Sequence, residues 1–317
     1  MTMAPTDDGL VPRSVARSTL PPAMARYLRV PGADNGQEPL LYRGVPALLS
    51  NGSERLALAS PSPDTLVVDG FTLPELTYLS RYLPSLGAAS IPMRQVLHGW
   101  LSQWAPHGVA LAVEAGCGVG ADLRALRLHA RQVIGFDLMT AAIKVARQHL
   151  AGVPLPAWRR LEGRHFAHDG DWLLPPVDGV FACLGDALEP PVVPGVADVV
   201  VALNLLDNVP DPLVLLTALD AMLKPGGLLI LASPFAWRDE LTAPEAQLGG
   251  GTIPALVELG SPQALAALLS GATPLLPDLR HTVLATTDVP WELADHARCR
   301  MIFTTHMLLT RKAFSHS

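Results

Sequence analysis

The chain has 317 residues, 49% of them hydrophobic and only 16% charged, with a formal charge of −6. That apolar content supports a sizeable core and excludes wholesale disorder. A net negative chain has no electrostatic attraction for phosphate backbones or anionic lipid, so neither nucleic acid nor a membrane surface is an expected partner.

In chain order, residues 1–38 are rich in Pro, Ser, Asp and Gly without an apolar period and read as a mobile arm. Residues 39–105 read as an N-terminal cap, with helices over Leu73–Leu83 and Met93–Trp104. From 106 to 317 the pattern is that of a core. Val109–Glu114 is an apolar strand, followed by glycines and a helix to about Ala130. Gln132–Asp137 is a second strand and Met139–Leu150 a second helix. An irregular insertion, 152–179, precedes strands at Val180–Leu184 and Ala197–Asn204. Pro212–Leu223 reads as a helix closed by Lys224-Pro225-Gly226-Gly227, where the lysine would meet the negative helix end. Leu228–Ser233 is a fifth strand. Ser261–Leu269 is helical, and Arg280–Thr287 and Met301–Thr310 are strands. Repeated β-α units imply an α/β fold, a doubly wound and mostly parallel sheet whose ligands bind beyond the carboxyl ends of the strands.

Three signals fall on that layer. Glu114-Ala115-Gly116-Cys117-Gly118-Val119-Gly120 ends a strand and opens a helix, so Gly116, Gly118 and Gly120 allow close approach of backbone to a ligand. Taken alone the run also fits the dinucleotide pattern G-x-G-x-x-A, which leaves an NAD(P)-dependent oxidoreductase open. Asp137, with Leu138 beside it, stands 17 residues past Gly120, where a carboxylate can accept both hydroxyls of a ribose. Gly185-Asp186-Ala187 follows the third strand, where an acid can accept an adenine amine. Cys117 is read as a small packing residue within the loop.

The order of Glu114, G-C-G-V-G, Asp137, Asp186 and Lys224-Pro225-Gly226-Gly227 resembles the class I S-adenosylmethionine-dependent methyltransferases over roughly residues 106–310. The resemblance implies a seven-stranded Rossmann-like methyltransferase fold with S-adenosylmethionine as cofactor. It places the methionine part on the glycine loop, the ribose on Asp137, the adenine between Asp186 and Ala187, and Asn204 near the sulfonium. Further on, Asn204-Leu205-Leu206-Asp207, Ser233-Pro234-Phe235-Ala236-Trp237, Leu248-Gly249-Gly250 and Asp288-Val289-Pro290-Trp291 with Ala297-Arg298 are similar to the methyltransferase module of ovothiol biosynthesis. That module methylates an imidazole nitrogen of 4-mercaptohistidine. It carries an extra hairpin where this chain has Leu155–Trp172, and it usually continues N-L-I-D with an Arg, where this chain has Asn208.

For the acceptor, Asp207 can orient or deprotonate a ring nitrogen or amine, and a cap for the following helix is an equal reading. Phe235 and Trp237 can wall a flat acceptor, or simply pack. Arg298 can hold a substrate carboxylate or pair on the surface. Tyr78, Tyr82 and His98 are candidates for a lid, against ordinary helix packing. His165, His168, Asp169 and Asp171 read as a solvated hairpin tip, and no metal is expected. Small-molecule N-methylation is the leading reading. S- or O-methylation of a secondary metabolite, the oxidoreductase and a non-catalytic cofactor-binding scaffold are the alternatives. Cys117, Cys183 and Cys299 form no C-x-x-C pair, no apolar run approaches about 18 residues, and residues 1–20 lack a leader's apolar segment. A cytoplasmic monomer or homodimer is the expectation.

Overall fold

The computed structural model describes residues 91–314 without a break and, before them, 10–11, 20–31, 40–42, 44–50, 67–68, 71–82, 84 and 86. Its elements in chain order begin with β1 (Leu10–Val11), α1 (Pro22–Ala25), β2 (Leu40–Tyr42), β3 (Val45–Ala47), β4 (Val67–Val68), β5 (Phe71–Thr72), α2 (Leu73–Tyr82) and α3 (Pro92–Trp104). The first β-α units follow: β6 (Val109–Ala115), α4 (Leu123–Arg127), β7 (Ala130–Asp137) and α5 (Thr140–Leu150). Next come β8 (Leu155–Glu162), β9 (His165–Trp172), β10 (Val180–Leu184) and β11 (Ala197–Leu203). The chain finishes with α6 (Pro212–Met222), β12 (Leu223–Ser233), α7 (Ser261–Leu269), β13 (His281–His296) and β14 (Cys299–Lys312).

The central sheet has the order β1-β2-β3-β10-β7-β6-β11-β12-β14-β13, ten strands instead of the seven expected. The parallel core starts in the middle at β6 and winds outward twice, through β7 and β10 on one side and β11 and β12 on the other. The switch point therefore lies between β6 and β11. β6, β7, β10, β11 and β12 are buried on both faces, as their unbroken apolar runs require.

Of the three extra strands, β2 and β3 come from the cap, expected to be helical, and β1 comes from the arm. β3 adds to the edge of β10 in parallel, with Ala47 opposite Leu184, and β2 and β1 continue antiparallel. The arm reading also fails over residues 20–31: Met24 is buried in the core, and Leu28 bridges to Val192. The rest of the arm, apart from Leu10–Val11, lies outside the described residues.

Two further expectations change. The helix after the glycine loop is only five residues long, because strand β7 already begins at Ala130. Lys224 does not close α6. Its ammonium reaches Asp198 at the start of β11 (2.8 Å), while Lys312 of β14 bonds the carbonyl of Asp220 (2.8 Å) in the last turn of α6. The favourable cation at the helix end is thus supplied from a distant strand.

The distal half of the β13–β14 hairpin overshoots the sheet. β14 pairs with β12 only from Ser233↔His306 to Leu228↔Arg311, so residues 289–305 of the hairpin run on past the carboxyl end of β12. Its tip meets the separate β8–β9 hairpin, where the Ala297 amide donates to the Arg160 carbonyl (2.9 Å). Among the described residues no helix is long and apolar enough to cross a membrane.

Candidate functional site

The carboxyl ends of β6, β7, β10, β11 and β12 bring the sequence signals together. Gly116, Gly118 and Gly120 all have positive φ (70°, 52° and 69°). At Gly118 a Cβ would meet nothing within 4 Å, which leaves room above the loop, whereas at Gly116 it would touch the Leu205 side chain at 2.9 Å. Asp137 organises the loop directly. One carboxylate oxygen accepts the Gly118 amide (2.9 Å) and the other the Met139 amide (2.8 Å), so each keeps a lone pair for a ligand hydroxyl. Burial pushes the Asp137 carboxyl up, against the pull of the backbone amides of Met139, Gly118 and Leu138.

Glu114 is buried, and its Oε2 has no partner. Burial, then the nearby Asp122 charge, drives its pKa well up, with Arg94 opposing. Arg94 of α3 reaches Asp122 at 2.8 Å and ties that helix to the end of the loop. Cys117 turns its side chain inward: a Cβ on Gly135 would meet its sulfur at 2.9 Å. Burial raises that thiol far above its usual range, so Cys117 stays a neutral packing residue.

One support is invisible in the sequence pattern. His149, buried beneath the loop, donates from Nε2 to the Val119 carbonyl (2.7 Å) and accepts from Arg124 at Nδ1 (3.3 Å). Burial lowers its pKa to about 4. The unfolded chain therefore binds the extra proton between about pH 6.5 and 4, and stability falls as pH drops through that window. The expected loss is about 3 kcal/mol, and urea unfolding at pH 7 and pH 4.5 should show it shrink in His149→Gln.

Asp186 is buried and accepts the Leu188 amide at Oδ1 (2.8 Å), a tight turn that leaves Ala187 half-buried against the core. Gly185 N–H bonds the Asp137 carbonyl (3.1 Å), linking the ends of β10 and β7. The loop after Asp186 is girded by the N-terminal segments: Ser50 bonds Glu189, and Arg29 N–H bonds the Pro191 carbonyl (2.9 Å).

On the other side, Asn204 and Phe235 end adjacent strands with φ of 53° and 52°. A left-handed Phe is costly, about 1–3 kcal/mol, and such strain clusters at functional sites. The Asn204 amide bonds the Ala232 carbonyl (2.8 Å), while its side-chain Oδ1 is enclosed without a partner. Trp237, 6.3 Å from the Phe235 ring, likewise has an unpartnered Nε1.

Asp207 does not stand as the acceptor-facing group. It is 1% exposed, and its oxygens take the Ala236 amide (2.8 Å) and the Asn208 side chain (3.2 Å). The carboxylate brackets the loop after β12 against the turn after β11, a positioning role. Arg238 donates to Asn208 Oδ1 (2.7 Å), which brings a guanidinium to the turn after β11.

Of the lid candidates, Tyr78 and Tyr82 are stacked at 5.9 Å on α2, close enough to Asp137 for its charge, after burial, to raise their pKa values. α2 is held there by Glu75, which caps Thr72 (2.7 Å) and pairs with Lys144 (2.6 Å). His98 is misplaced by the sequence reading: it is exposed and meets His129 (2.7 Å), which precedes β7 at the opposite end of the sheet. Arg298 is also away from the site. It lies on the β13–β14 turn with its side chain 79% exposed, 3.8 Å from Glu162. The residue that matters at this tip is Asp295, held by Arg81 of α2 (2.9 Å) and Arg160 of β8 (3.5 Å). Asp295, His296 and Cys299 come within 4.8 Å of one another, but this carboxylate is already committed to two guanidinium groups. His168 lies tilted against Trp158, with ring centroids 4.9 Å apart, and approaches Asp171 (3.4 Å).

A cavity of about 330 Å³ between Trp104, Asp198, Lys224 and Arg311 lies at the amino ends of the strands, away from this chemistry.

Residues 109–272, just over half of the chain, match the family described as "Methyltransferase domain". The chain belongs to this methyltransferase family. A ubiquinone biosynthesis O-methyltransferase of Paracidovorax citrulli is 26% identical over 137 residues, which are 43% of this chain and 48% of that one. Its counterpart in Xanthomonas campestris is 29% identical over 124 residues, 39% and 43% of the two chains. The chain thus spans about half the length of the curated relatives it matches. Among solved structures, a SAM-dependent methyltransferase of Methanosarcina mazei superposes with a TM-score of 0.45 and 16% identity, covering 69% of this chain and 98% of the other. The N-methyltransferase NodS of Bradyrhizobium japonicum gives 0.42 and 19%, covering 71% and 99%. S-adenosylmethionine is the cofactor of this methyltransferase domain, and the donor set fits it: a roomy glycine loop, a carboxylate with spare lone pairs and enclosed oxygens on Glu114 and Asn204. The family assignment sets aside the oxidoreductase and the non-catalytic scaffold.

Proposed function

We propose that the protein transfers a methyl group from S-adenosylmethionine to a nitrogen of a small acceptor, an imidazole or amine of a histidine-like or natural-product molecule. The observation that carries the reading is the aromatic, strained wall at the ends of β11 and β12, where Asn204, Phe235 and Trp237 gather beside the glycine loop. The cofactor supplies an electrophilic methyl on a cationic sulfur. Gly116, Gly118, Gly120 and Asp137 hold the donor, Asp186 and Ala187 frame its adenine, and Asn204 orients the methionine end. Phe235 and Trp237 fix the acceptor plane. Tyr78, Tyr82 and the hairpin tip latched by Asp295 exclude water from above. Alignment of donor and acceptor can account for about 7–11 kcal/mol of barrier reduction in such a site.

The similarity of residues 204–207, 233–237 and 288–298 to the ovothiol-biosynthesis module supports a histidine-like acceptor. A second reading, O-methylation, is favoured by the ubiquinone biosynthesis O-methyltransferases among the relatives. Calorimetric titration with S-adenosylmethionine, S-adenosylhomocysteine and NAD, followed by tritium transfer to 4-mercaptohistidine, histidine, histamine and catechol, tests both. Turnover on the imidazoles is expected. Turnover confined to catechol would favour the second reading, and tight NAD binding without response to the other two ligands would overturn both.

A further inference from the structure

We propose that His306 and Asp288 form the proton-accepting pair of the acceptor site, so that the acceptor carries an exchangeable proton, such as an imidazole N–H, an amine or a phenol. The inference rests on the methyl-transfer reading above and adds a catalytic residue to it.

Register places the pair. His306 lies opposite Ser233, the last residue of β12, and β12 in turn borders β11, which leads into Asn204. Its ring is 6.2 Å from that of Phe235, at 30°, so the imidazole lies against the strained aromatic wall. Asp288 is directly across the hairpin from His306, and its Oδ1 is 2.7 Å from His306 Nδ1. A carboxylate at that distance takes the Nδ1 proton, which leaves Nε2 with its lone pair outward. Nε2 has no partner among the described residues. The imidazole side chain is 15% exposed and the carboxylate 62%, so the base is sheltered while its partner keeps contact with water. On the adjoining loops, Asp207 is engaged with Ala236 and Asn208, Arg238 with Asn208, and Asp239 with Gln247.

The step balances without another reactant. The bond from acceptor to methyl carbon forms as the bond from that carbon to the donor sulfur breaks. The acceptor's proton passes to His306 Nε2, Asp288 steadies the resulting imidazolium, and the proton then leaves to water. A pair that only fastened β13 to β14 would sit equally well with Nε2 protonated and would not respond to an external base.

Long-range ¹H–¹⁵N spectra of the full chain with S-adenosylhomocysteine read the tautomer directly. The expected result is a protonated Nδ1 and an unprotonated Nε2 on His306, and a protonated Nε2 would overturn the proposal. In tritium transfer to histidine, histamine and catechol, His306→Ala should lower kcat by about 100-fold, with the S-adenosylmethionine Kd within twofold and activity partly restored by added imidazole. Unchanged kcat, or a loss that imidazole does not restore while His306→Gln retains full activity, would also overturn it. If the unaltered protein fails to bind S-adenosylmethionine, the methyl-transfer reading falls. If it binds but methylates none of the three acceptors, the tautomer decides the pair.

Discussion

Replacing Asp137 by Ala is expected to weaken S-adenosylmethionine binding by about a thousandfold, roughly 4 kcal/mol, while leaving the unfolding midpoint within a few degrees. The magnitude follows from two charge-assisted hydrogen bonds to ligand hydroxyls, each about 1.5–3 kcal/mol. The carboxylate acts twice, because its oxygens also hold the Gly118 and Met139 amides in place before any ligand arrives. Asp137→Asn separates the two roles: the shape survives, yet one backbone N–H now faces a side-chain N–H, so an intermediate loss is expected. Burial raises the Asp137 carboxyl above the ordinary value of 3.8, and binding requires its ionised form. Affinity should therefore decline on acidification at a higher pH than an exposed aspartate would dictate. Calorimetry on both variants checks this, and an unchanged Kd in Asp137→Ala would undo the site assignment.

Asp220→Ala is expected to cost about 3–5 kcal/mol of stability without altering cofactor affinity in the folded protein. The carboxylate joins His281 Nε2 (2.8 Å) and Lys312 Nζ (2.9 Å), stitching α6 to both strands of the C-terminal hairpin. The His281 side chain is fully buried, and its Nδ1 is already committed to Thr310 (2.9 Å), so loss of the Asp220 carboxylate strands the imidazole and leaves the Lys312 ammonium only the backbone carbonyls of residues 220 and 223. Burial alone would raise the Asp220 pKa, but His281 and Lys312 outweigh it and hold the carboxyl below 3.8. A depressed folded pKa means that the contribution is complete above the unfolded value and disappears as pH falls through the folded one. This acid transition thus lies below the window in which His149 acts. Urea titrations of Asp220→Ala and His149→Gln across pH should separate the two.

The cofactor half of the site was legible because its signals are local. A strand ending in Glu114, glycines that need positive φ, and a carboxylate ending the next strand all follow from short-range rules. The acceptor half depends on long-range register, which no window of sequence exposes. His306 matters only because β14 slides to set it beside Ser233, and the Asp295 latch exists only once α2, β8 and the hairpin tip converge. His98 shows the converse error. Its helix was anticipated correctly, but periodicity does not say which end of a sheet a helical position will reach, and His98 reached His129 at the far end. Asp207 was located correctly and oriented wrongly, since its neighbourhood could be read and the direction of its carboxylate could not. The extra strands β1–β3 escaped because short, Pro-interrupted runs on a sheet edge carry little alternation.

The overshooting hairpin has a consequence for biosynthesis. Residues 109–204 contain the glycine loop, Asp137, Asp186 and Asn204, so every residue proposed to hold the donor leaves the ribosome before the roof. The roof waits for Asp295 and His306, about ninety to a hundred residues later. Such non-local closure slows folding and leaves the aromatic wall uncovered in the interval. A nascent chain would thus hold its methyl donor before it could shelter an acceptor, and an S-adenosylmethionine-bound intermediate with an open upper face should accumulate early in refolding.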